Sequence, residues 1–207
     1  APPVTDPLPT TSAPRVTTRR RNTGETSVEL RLDLDGSGRT EISTGLRFLD
    51  HMLDALARHA RLDLTLRCEG DLEVDDHHTV EDCAIVLGGA LDELLGERRG
   101  ITRFGSAYAP LDEALARVVV DLSGRPWPEV DLGLRRERLG AVACENLTHF
   151  LQTLAIEGRM ALHVDVLRGA NDHHRAEAAF KALALALRAA LTRDGADAVP
   201  STKGVLS

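Results

Sequence analysis

The sequence predicts an α+β fold in which a β-β-α-β-α half-domain is duplicated and the helices pack between two mixed β-sheets. The first observation is the motif His-His-x-x-Glu, which occurs at residues 77–81 and again at 173–177. The second is an additional histidine upstream of each copy, His51 at 26 residues and His149 at 24 residues before it. In both halves a helix-like run, a strand-like run and a polar loop lie between that histidine and the motif. This repetition in register indicates an internal duplication.

The predicted organisation is one compact domain made of two half-repeats, residues 17–97 and 98–207. Residues 1–16 are rich in proline and threonine and have no apolar periodicity, which predicts a disordered N-terminal tail. We expect each half to form a sheet of about four strands with two helices on one face. The halves are expected to pair about a pseudo-two-fold axis.

In the first half, residues 25–34 alternate polar and apolar side chains, the pattern of a half-buried strand. A turn at 35–38 and a returning strand at 39–44 predict a hairpin. A helix is predicted from residue 46 to 59, a strand at 62–67 and a second helix from about 79 to 95, ending at Gly96.

The second half repeats this order. A buried-type strand at 117–122 is interrupted by Gly124-Arg125-Pro126. It is followed by a strand near 127–134, a helix near 144–157, a strand at 161–167, a loop at 168–171 and a helix from about 174 to 191.

Composition excludes several classes of protein. The net charge of the 207 residues is −7 and no basic block exists beyond residues 19–21, which argues against nucleic acid as a partner. No apolar run reaches the ~20 residues that span a bilayer, and the N-terminus lacks the apolar core of a signal peptide. The three cysteines have no CxxC spacing, so we expect no disulfide framework and a cytoplasmic setting.

The repeated motif predicts a metal site. The second histidine and the glutamate are three residues apart, which places them on one helix face. Neighbouring histidines of a helix point about 100° apart, so they can serve different metals. A single His-x-x-Glu is usually a solvated helix face, but two copies in register favour metal binding. Six of the eight histidines and two glutamates are the predicted ligands, enough for two metals with about four ligands each: His51, His77, His78, Glu81, His149, His173, His174 and Glu177.

For several other residues, position in the sequence is consistent with either a structural or a functional role. Glu25 is either a surface carboxylate or a site residue, and His59 either caps a helix or contacts a substrate. Lys181 follows Glu177 by four residues, either as a helix salt bridge or as a cation for an anionic substrate. Arg125, held between glycine and proline, suits binding of a phosphate.

Two loop segments also admit a functional reading. Residues 200–204 combine hydroxyls, a lysine and backbone N–H groups, and make a plausible anion cradle. The acidic run at 69–76 is either a solvated loop or a feature that raises the basicity of the adjacent histidines.

Together these motifs resemble one family. The segments are Phe48-Leu49-Asp50-His51-Met52, His77-His78-Thr79-Val80-Glu81-Asp82, Asp121-Leu122-Ser123-Gly124-Arg125-Pro126, His173-His174-Arg175-Ala176-Glu177-Ala178-Ala179-Phe180-Lys181 and Ser201-Thr202-Lys203-Gly204. From about Arg19 to the C-terminus the chain resembles imidazoleglycerol-phosphate dehydratase of histidine biosynthesis. Some members of that family are fused to a phosphatase domain, and we expect this chain to be monofunctional.

The resemblance implies a ribosomal protein S5 domain 2-like fold and dehydration of imidazole glycerol phosphate to imidazole acetol phosphate through a metal-stabilised imidazolate. It implies two Mn²⁺ per subunit and a homo-oligomer of 24 subunits built from trimers, with Glu25 supplied across a subunit boundary. Glu25, Glu177 and His78 are the implied catalytic residues, and the choice between the two glutamates as base stays open. The implied substrate-binding residues are Glu25, His59, Arg103, Arg125, Lys181, Ser201 and Lys203, the last two in a C-terminal phosphate-binding loop.

Two rival functions make different structural predictions. A two-metal hydrolase acting on a phosphoester would hold its metals about 3.5–4 Å apart on a shared carboxylate. A metal-storage or structural assembly would have closed sites, with Arg103, Arg125 and Lys181 facing elsewhere.

Overall fold

The computed structural model describes residues 13–196, 198–204 and 206. The first half contains β1 (Val16–Asn22), β2 (Thr26–Asp33), β3 (Thr40–Ser43), α1 (Arg47–Ala60), β4 (Asp63–Gly70) and α2 (His77–Leu95). The second half contains β5 (Phe104–Leu111), β6 (Ala114–Asp121), β7 (Trp127–Asp131), β8 (Arg138–Leu139), β9 (Val142–Ala143), α3 (Cys144–Glu157), β10 (Ala161–Arg168) and α4 (Asp172–Ala190).

The two large sheets have the same topology, which confirms the predicted fold class. Their strand orders are β1-β2-β4-β3 and β5-β6-β10-β7. In each sheet the first three strands in this order pair antiparallel and the last pairs parallel with its neighbour. Each sheet is therefore mixed, and β8 and β9 form a separate two-stranded ribbon in the second half.

The predicted hairpin between residues 25–34 and 39–44 is wrong in its pairing. Strand β2 pairs antiparallel with β1 and β4, whereas β3 pairs parallel with β4 in the register Thr40↔Leu64. The reason is that β1 is an edge strand with no fully buried residue. It therefore lacks the apolar alternation by which a strand is found in sequence.

Only the end of the predicted N-terminal tail can be compared with the structure. Residues 1–12 lie outside the described residues, and β1 begins at Val16. Arg15 is already held in place, since its side chain bonds Asp35 and donates to the carbonyl oxygen of Leu191 at 2.9 Å. Arg15 and Val16, which the prediction placed in the tail, therefore belong to the folded part of the chain.

The core lies between the sheets, where the four long helices pack in crosswise pairs. Helix α1 of the first half packs against α4 of the second, and α2 packs against α3. Alternate residues of the central strands are fully buried beneath them, as Val28, Leu30 and Leu32 are in β2. Because each helix pair joins the two halves, side chains of one half are brought to the other.

Both motif-bearing helices begin earlier than the sequence predicts, at His77 and at Asp172. Asn171 caps α4, because its side chain accepts a hydrogen bond from the backbone N–H of His173 at 2.9 Å. The first histidine of each motif is therefore part of the first helical turn. Within the described part of the chain, no helix has both the length and the apolar character needed to cross a membrane.

Candidate metal centres

The first candidate centre combines His77 and Glu81 of α2 with His149 of α3. One potential ligand atom from each residue lies within 4.8 Å of the others. The Nε2 atom of His149 is 2.8 Å from a carboxylate oxygen of Glu81. The rings of His77 and His149 stack with their centroids 4.9 Å apart. Two imidazoles and a carboxylate at this spacing suit a divalent transition metal.

The second candidate centre combines His51 of α1 with His173 and Glu177 of α4. The Nε2 atoms of the two histidines lie 3.0 and 3.1 Å from the same oxygen of Glu177. The other oxygen of Glu177 contacts the Lys181 ammonium at 2.7 Å. Burial opposes ionisation of Glu177, but the hydrogen bonds from Lys181 and His51 outweigh it and lower the pKa of Glu177 to about 2. The residue is thus a carboxylate at neutral pH, as a metal ligand must be.

Each centre draws its upstream histidine from the opposite half of the chain. His51 joins the second motif and His149 joins the first, because α1 packs on α4 and α2 on α3. Each glutamate lies beside the first histidine of its motif, which precedes it by four residues. The sequence had suggested the second histidine, which precedes it by three. The two centres, as far as the described residues go, share no carboxylate, which disfavours a hydrolase with bridged metals.

The second histidines point away from these centres towards other carboxylates. His78 Nδ1 is 3.0 Å from Asp71, and the hydrogen bond to Asp71 raises the pKa of His78. His174 Nδ1 is 2.7 Å from Glu113, and this hydrogen bond raises the pKa of His174. The same hydrogen bond is the main reason that the pKa of Glu113 is lowered to about 2. Glu25 lies near the first of these histidines, with its carboxylate 3.6 Å from His78 Nε2.

A buried aspartate supports the first centre from behind. Asp76 accepts hydrogen bonds from the backbone N–H of Ala143 at 2.8 Å and from the Asn146 amide at 3.0 Å. The carbonyl oxygen of Asn146 in turn lies 3.1 Å from His77 Nδ1. This contact favours a proton on Nδ1 and leaves Nε2 of His77 free to bind a metal. Sequence reasoning missed Asn146, because nothing in its local pattern distinguishes it from other helix residues.

Asp172 occupies the equivalent place in the second motif. It is buried and accepts hydrogen bonds at 2.7 Å from the backbone N–H groups of Arg135 and Arg136. An aspartate directly before each His-His pair was visible in the sequence. The role of Asp172 was not visible, because residues 135 and 136, which it binds, are distant from it in the sequence.

Four of the predicted phosphate-binding residues share a cavity. Arg103, Arg125, Ser201 and Lys203 line a space of about 610 Å³ together with Phe104. Arg103 is held by an ion pair with Asp121 at 2.7 Å and donates to the carbonyl oxygen of Pro200, also at 2.7 Å. The segment after α4 is thereby fixed beside the first residues of β5. This convergence disfavours a closed storage site in which the arginines face elsewhere.

Three of the predicted substrate-binding residues, Glu25, Lys181 and His59, lie apart from this cavity. Glu25 lies beside His78. Lys181 contacts Glu177 in the second centre. His59 is exposed in the last turn of α1, about two helical turns beyond His51. Within the part of the chain that the structure describes, His59 belongs to neither centre.

Comparison with known proteins identifies the family. The family model for imidazoleglycerol-phosphate dehydratase matches residues 44–187. The enzyme of that name from Candida glabrata is 55% identical over an alignment 206 residues long that covers 91% of this chain and 98% of that protein. A relative from Phytophthora nicotianae is 57% identical over 90% of this chain, but the chain spans only 41% of that longer protein. The crystal structure of imidazoleglycerol-phosphate dehydratase from Staphylococcus aureus has a TM-score of 0.78 at 37% identity and covers 86% of this chain and 99% of that one. With two histidine–carboxylate centres built across its halves, this chain belongs to the imidazoleglycerol-phosphate dehydratase family.

Proposed function

We propose that this chain dehydrates imidazole glycerol phosphate to imidazole acetol phosphate in histidine biosynthesis, with two Mn²⁺ ions per subunit. The observation that carries the proposal is the pair of His₂Glu centres, each assembled from both halves of the duplicated chain. The donor sets fit such an ion, because neutral imidazole nitrogen and ionised carboxylate oxygen are ligands that Mn²⁺ accepts. The choice of Mn²⁺ among the transition metals rests on the family.

The difficulty of the reaction explains the need for these centres. The proton to be removed lies on a carbon with no adjacent carbonyl group, so the imidazole ring is the only sink for the electron pair. A metal bound to a ring nitrogen would supply Lewis acidity and make that proton removable. The hydroxyl group lost from the neighbouring carbon leaves as water, and the resulting enol becomes the ketone of the product.

Residues of the chain supply the proton transfers. Glu25 and Glu177 are the candidate groups, and either can move a proton only from within hydrogen-bond reach of the reacting carbon. Glu177 is held as an ion by Lys181. Glu25 is half exposed beside His78, a position that suits a group acting on a bound substrate.

The remaining charged groups would hold the substrate. Arg103, Arg125, Ser201 and Lys203 are suited to a phosphate, because arginine binds phosphate oxygens in a bidentate manner and the cavity has the size of a small ligand. Fixing the phosphate would orient the substrate towards a metal centre of the assembled oligomer, without taking part in bond changes. Lys181 and His59 are proposed as further substrate contacts.

Assembly would complete the sites. His78 and His174 are predicted ligands, yet their Nε2 atoms belong to neither centre of their own chain. We infer that they reach a metal of a neighbouring subunit, with Glu25 crossing the same boundary. A shared site makes a symmetric oligomer obligatory, and we expect 24 subunits built from trimers. We place the enzyme in the cytoplasm, where the three buried free cysteines would stay reduced.

Turnover of imidazole glycerol phosphate by metal-stripped protein, with and without Mn²⁺, tests the proposal. We expect activity to return with Mn²⁺ in the wild type and to stay absent in His77→Ala. His163→Ala is the matched control, since His163 is exposed on β10 and lies outside both centres. No turnover by the assembled, metal-loaded protein would refute the dehydratase proposal and favour phosphoester substrates.

A further inference from the structure

The second histidine of each motif lies between two carboxylates. His78 has Asp71 at 3.0 Å from Nδ1 and Glu25 at 3.6 Å from Nε2. His174 has Glu113 at 2.7 Å from Nδ1 and Asp112 at 3.9 Å from Nε2. Each of the two imidazoles therefore has a carboxylate near both of its ring nitrogens.

The two halves use equivalent turns for the Nε2 carboxylate and different loops for the Nδ1 carboxylate. At His78 the Nδ1 partner, Asp71, comes from the loop between β4 and α2, and Glu25 comes from the turn between β1 and β2. At His174 both carboxylates come from the turn between β5 and β6. Both halves thus place a carboxylate at each ring nitrogen, although the Nδ1 partner comes from a different loop in each half.

Glu113 is positioned to orient His174. Besides the imidazole it accepts hydrogen bonds from the backbone N–H groups of Ala170 and Asn171, at 3.0 and 2.8 Å. These are the residues that precede and cap α4. The carboxylate therefore ties the β5–β6 turn to the start of the helix that carries His174.

Asp112 occupies its turn at a conformational disadvantage. Leu111 pairs with Ala114, so Asp112 and Glu113 form a two-residue turn, and Asp112 has a φ of 46°. Glycine adopts this region without the steric cost that a Cβ atom brings. The Asp112 side chain is 76% exposed and so packs against little. Non-glycine residues with a positive φ cost stability, and they cluster at functional sites.

We propose that the Asp112–Glu113 turn is a functional part of the site built on His174, in which Glu113 orients the imidazole for metal binding and Asp112 receives a hydroxyl group of the ligand held there. A carboxylate on Nδ1 fixes the proton on that nitrogen and leaves Nε2 as the donor. Asp112 lies on the Nε2 side, where it is the counterpart of Glu25 at His78. This inference rests on the proposed function for the identity of the ligand.

Direct Mn²⁺ binding to the assembled protein tests the role of Glu113 without any turnover. Glu113→Gln keeps a carbonyl oxygen for the backbone N–H groups but weakens the acceptor on His174, so we expect Mn²⁺ affinity to fall 10- to 100-fold at one class of site. The same change in a His174→Ala background is expected to have no further effect. Glu129→Gln, an exposed carboxylate on β7, is the control. Unchanged affinity in Glu113→Gln, or an equal loss in the His174→Ala background, would overturn the positioning role.

Asp112→Gly separates function from stability. Removing the Cβ atom relieves the positive φ, so the melting temperature of the metal-free protein should stay the same or rise. The kcat for imidazole glycerol phosphate should fall at least tenfold, with Mn²⁺ affinity nearly unchanged. Full activity in this variant would overturn the role of Asp112. If the wild type does not turn over this substrate at all, the proposed function and the Asp112 role both fail, while the Mn²⁺ measurements still decide the role of Glu113.

Discussion

The contact between Asn146 and His77 permits a specific test of how the first candidate centre would hold a metal. Asn146 is buried in α3, with its carbonyl oxygen 3.1 Å from His77 Nδ1 and its amide 3.0 Å from Asp76. In Asn146→Leu a side chain of similar size removes both hydrogen bonds. The proton of His77 then has no acceptor at Nδ1, and part of the population carries it on Nε2, where the metal must bind.

The expected effects follow from these two contacts. Loss of a partner behind a metal-binding histidine typically costs 10- to 100-fold in affinity, or about 1.4–2.7 kcal/mol. Two lost hydrogen bonds at about 1 kcal/mol each lower the free energy of unfolding by about 2 kcal/mol. Asp76 keeps its bond to the Ala143 N–H, so its charge is not left without a partner.

Isothermal titration with Mn²⁺ is the assay, because it separates tight and weak classes of site. We expect the centre of His77 to weaken and the centre of His51 to keep its affinity. Glu145→Gln, an exposed change at the preceding residue, is the control for any general effect on α3. Parallel weakening of both classes, or wild-type affinity at both, would refute the reasoning.

Three further predictions concern acid stability, substrate binding and the metal. Asp63 is buried and accepts from three backbone N–H groups of residues 37–39 and from the Arg39 guanidinium; these bonds outweigh burial and hold its pKa well below the ordinary value. The ionised Asp63 therefore stabilises the fold fully above about pH 4, and this stabilisation is lost as the pH falls. Asp63→Asn should lower the free energy of unfolding in urea by about 1–3 kcal/mol at pH 7 and should weaken the loss of stability below about pH 4. An equally steep loss in the variant over the same acid range would contradict this. Arg125→Gln should raise the KM for imidazole glycerol phosphate at least tenfold with a smaller change in kcat, whereas Arg20→Gln, at the surface ion pair with Glu29, should change neither; a loss confined to kcat would argue against phosphate binding. Removal of metal by a chelator should lower the melting temperature, and Mn²⁺ at 100 times its Kd should restore about 2.7 kcal/mol of stability; a melting temperature that does not respond to Mn²⁺ would mean that the folded protein does not bind it.

Strand prediction succeeded for β2, which has one buried face, and failed for β1, which has no fully buried residue. Strand β2 alternates Val28, Leu30 and Leu32 with charged residues and was predicted from that pattern. Strand β1 has no such pattern, since it is an edge strand whose position is defined by backbone pairing with β2. Because β1 was not predicted, β2 was paired with β3, and the hairpin was assigned to the wrong strands.

The sequence by itself determined the duplication, the fold class and the residue types of the metal centres, because two copies of His-His-x-x-Glu in register leave a periodic signal that needs no three-dimensional information. Only the tertiary structure decided which residues meet. Crosswise packing of α1 on α4 and of α2 on α3 brings His51 to Glu177 and His149 to Glu81. The direction of each helix from its first turn places the first histidine of each pair, and not the second, beside the glutamate. The contacts between the halves join residues 126 and 68 positions apart in the chain, and no local pattern of side chains records them.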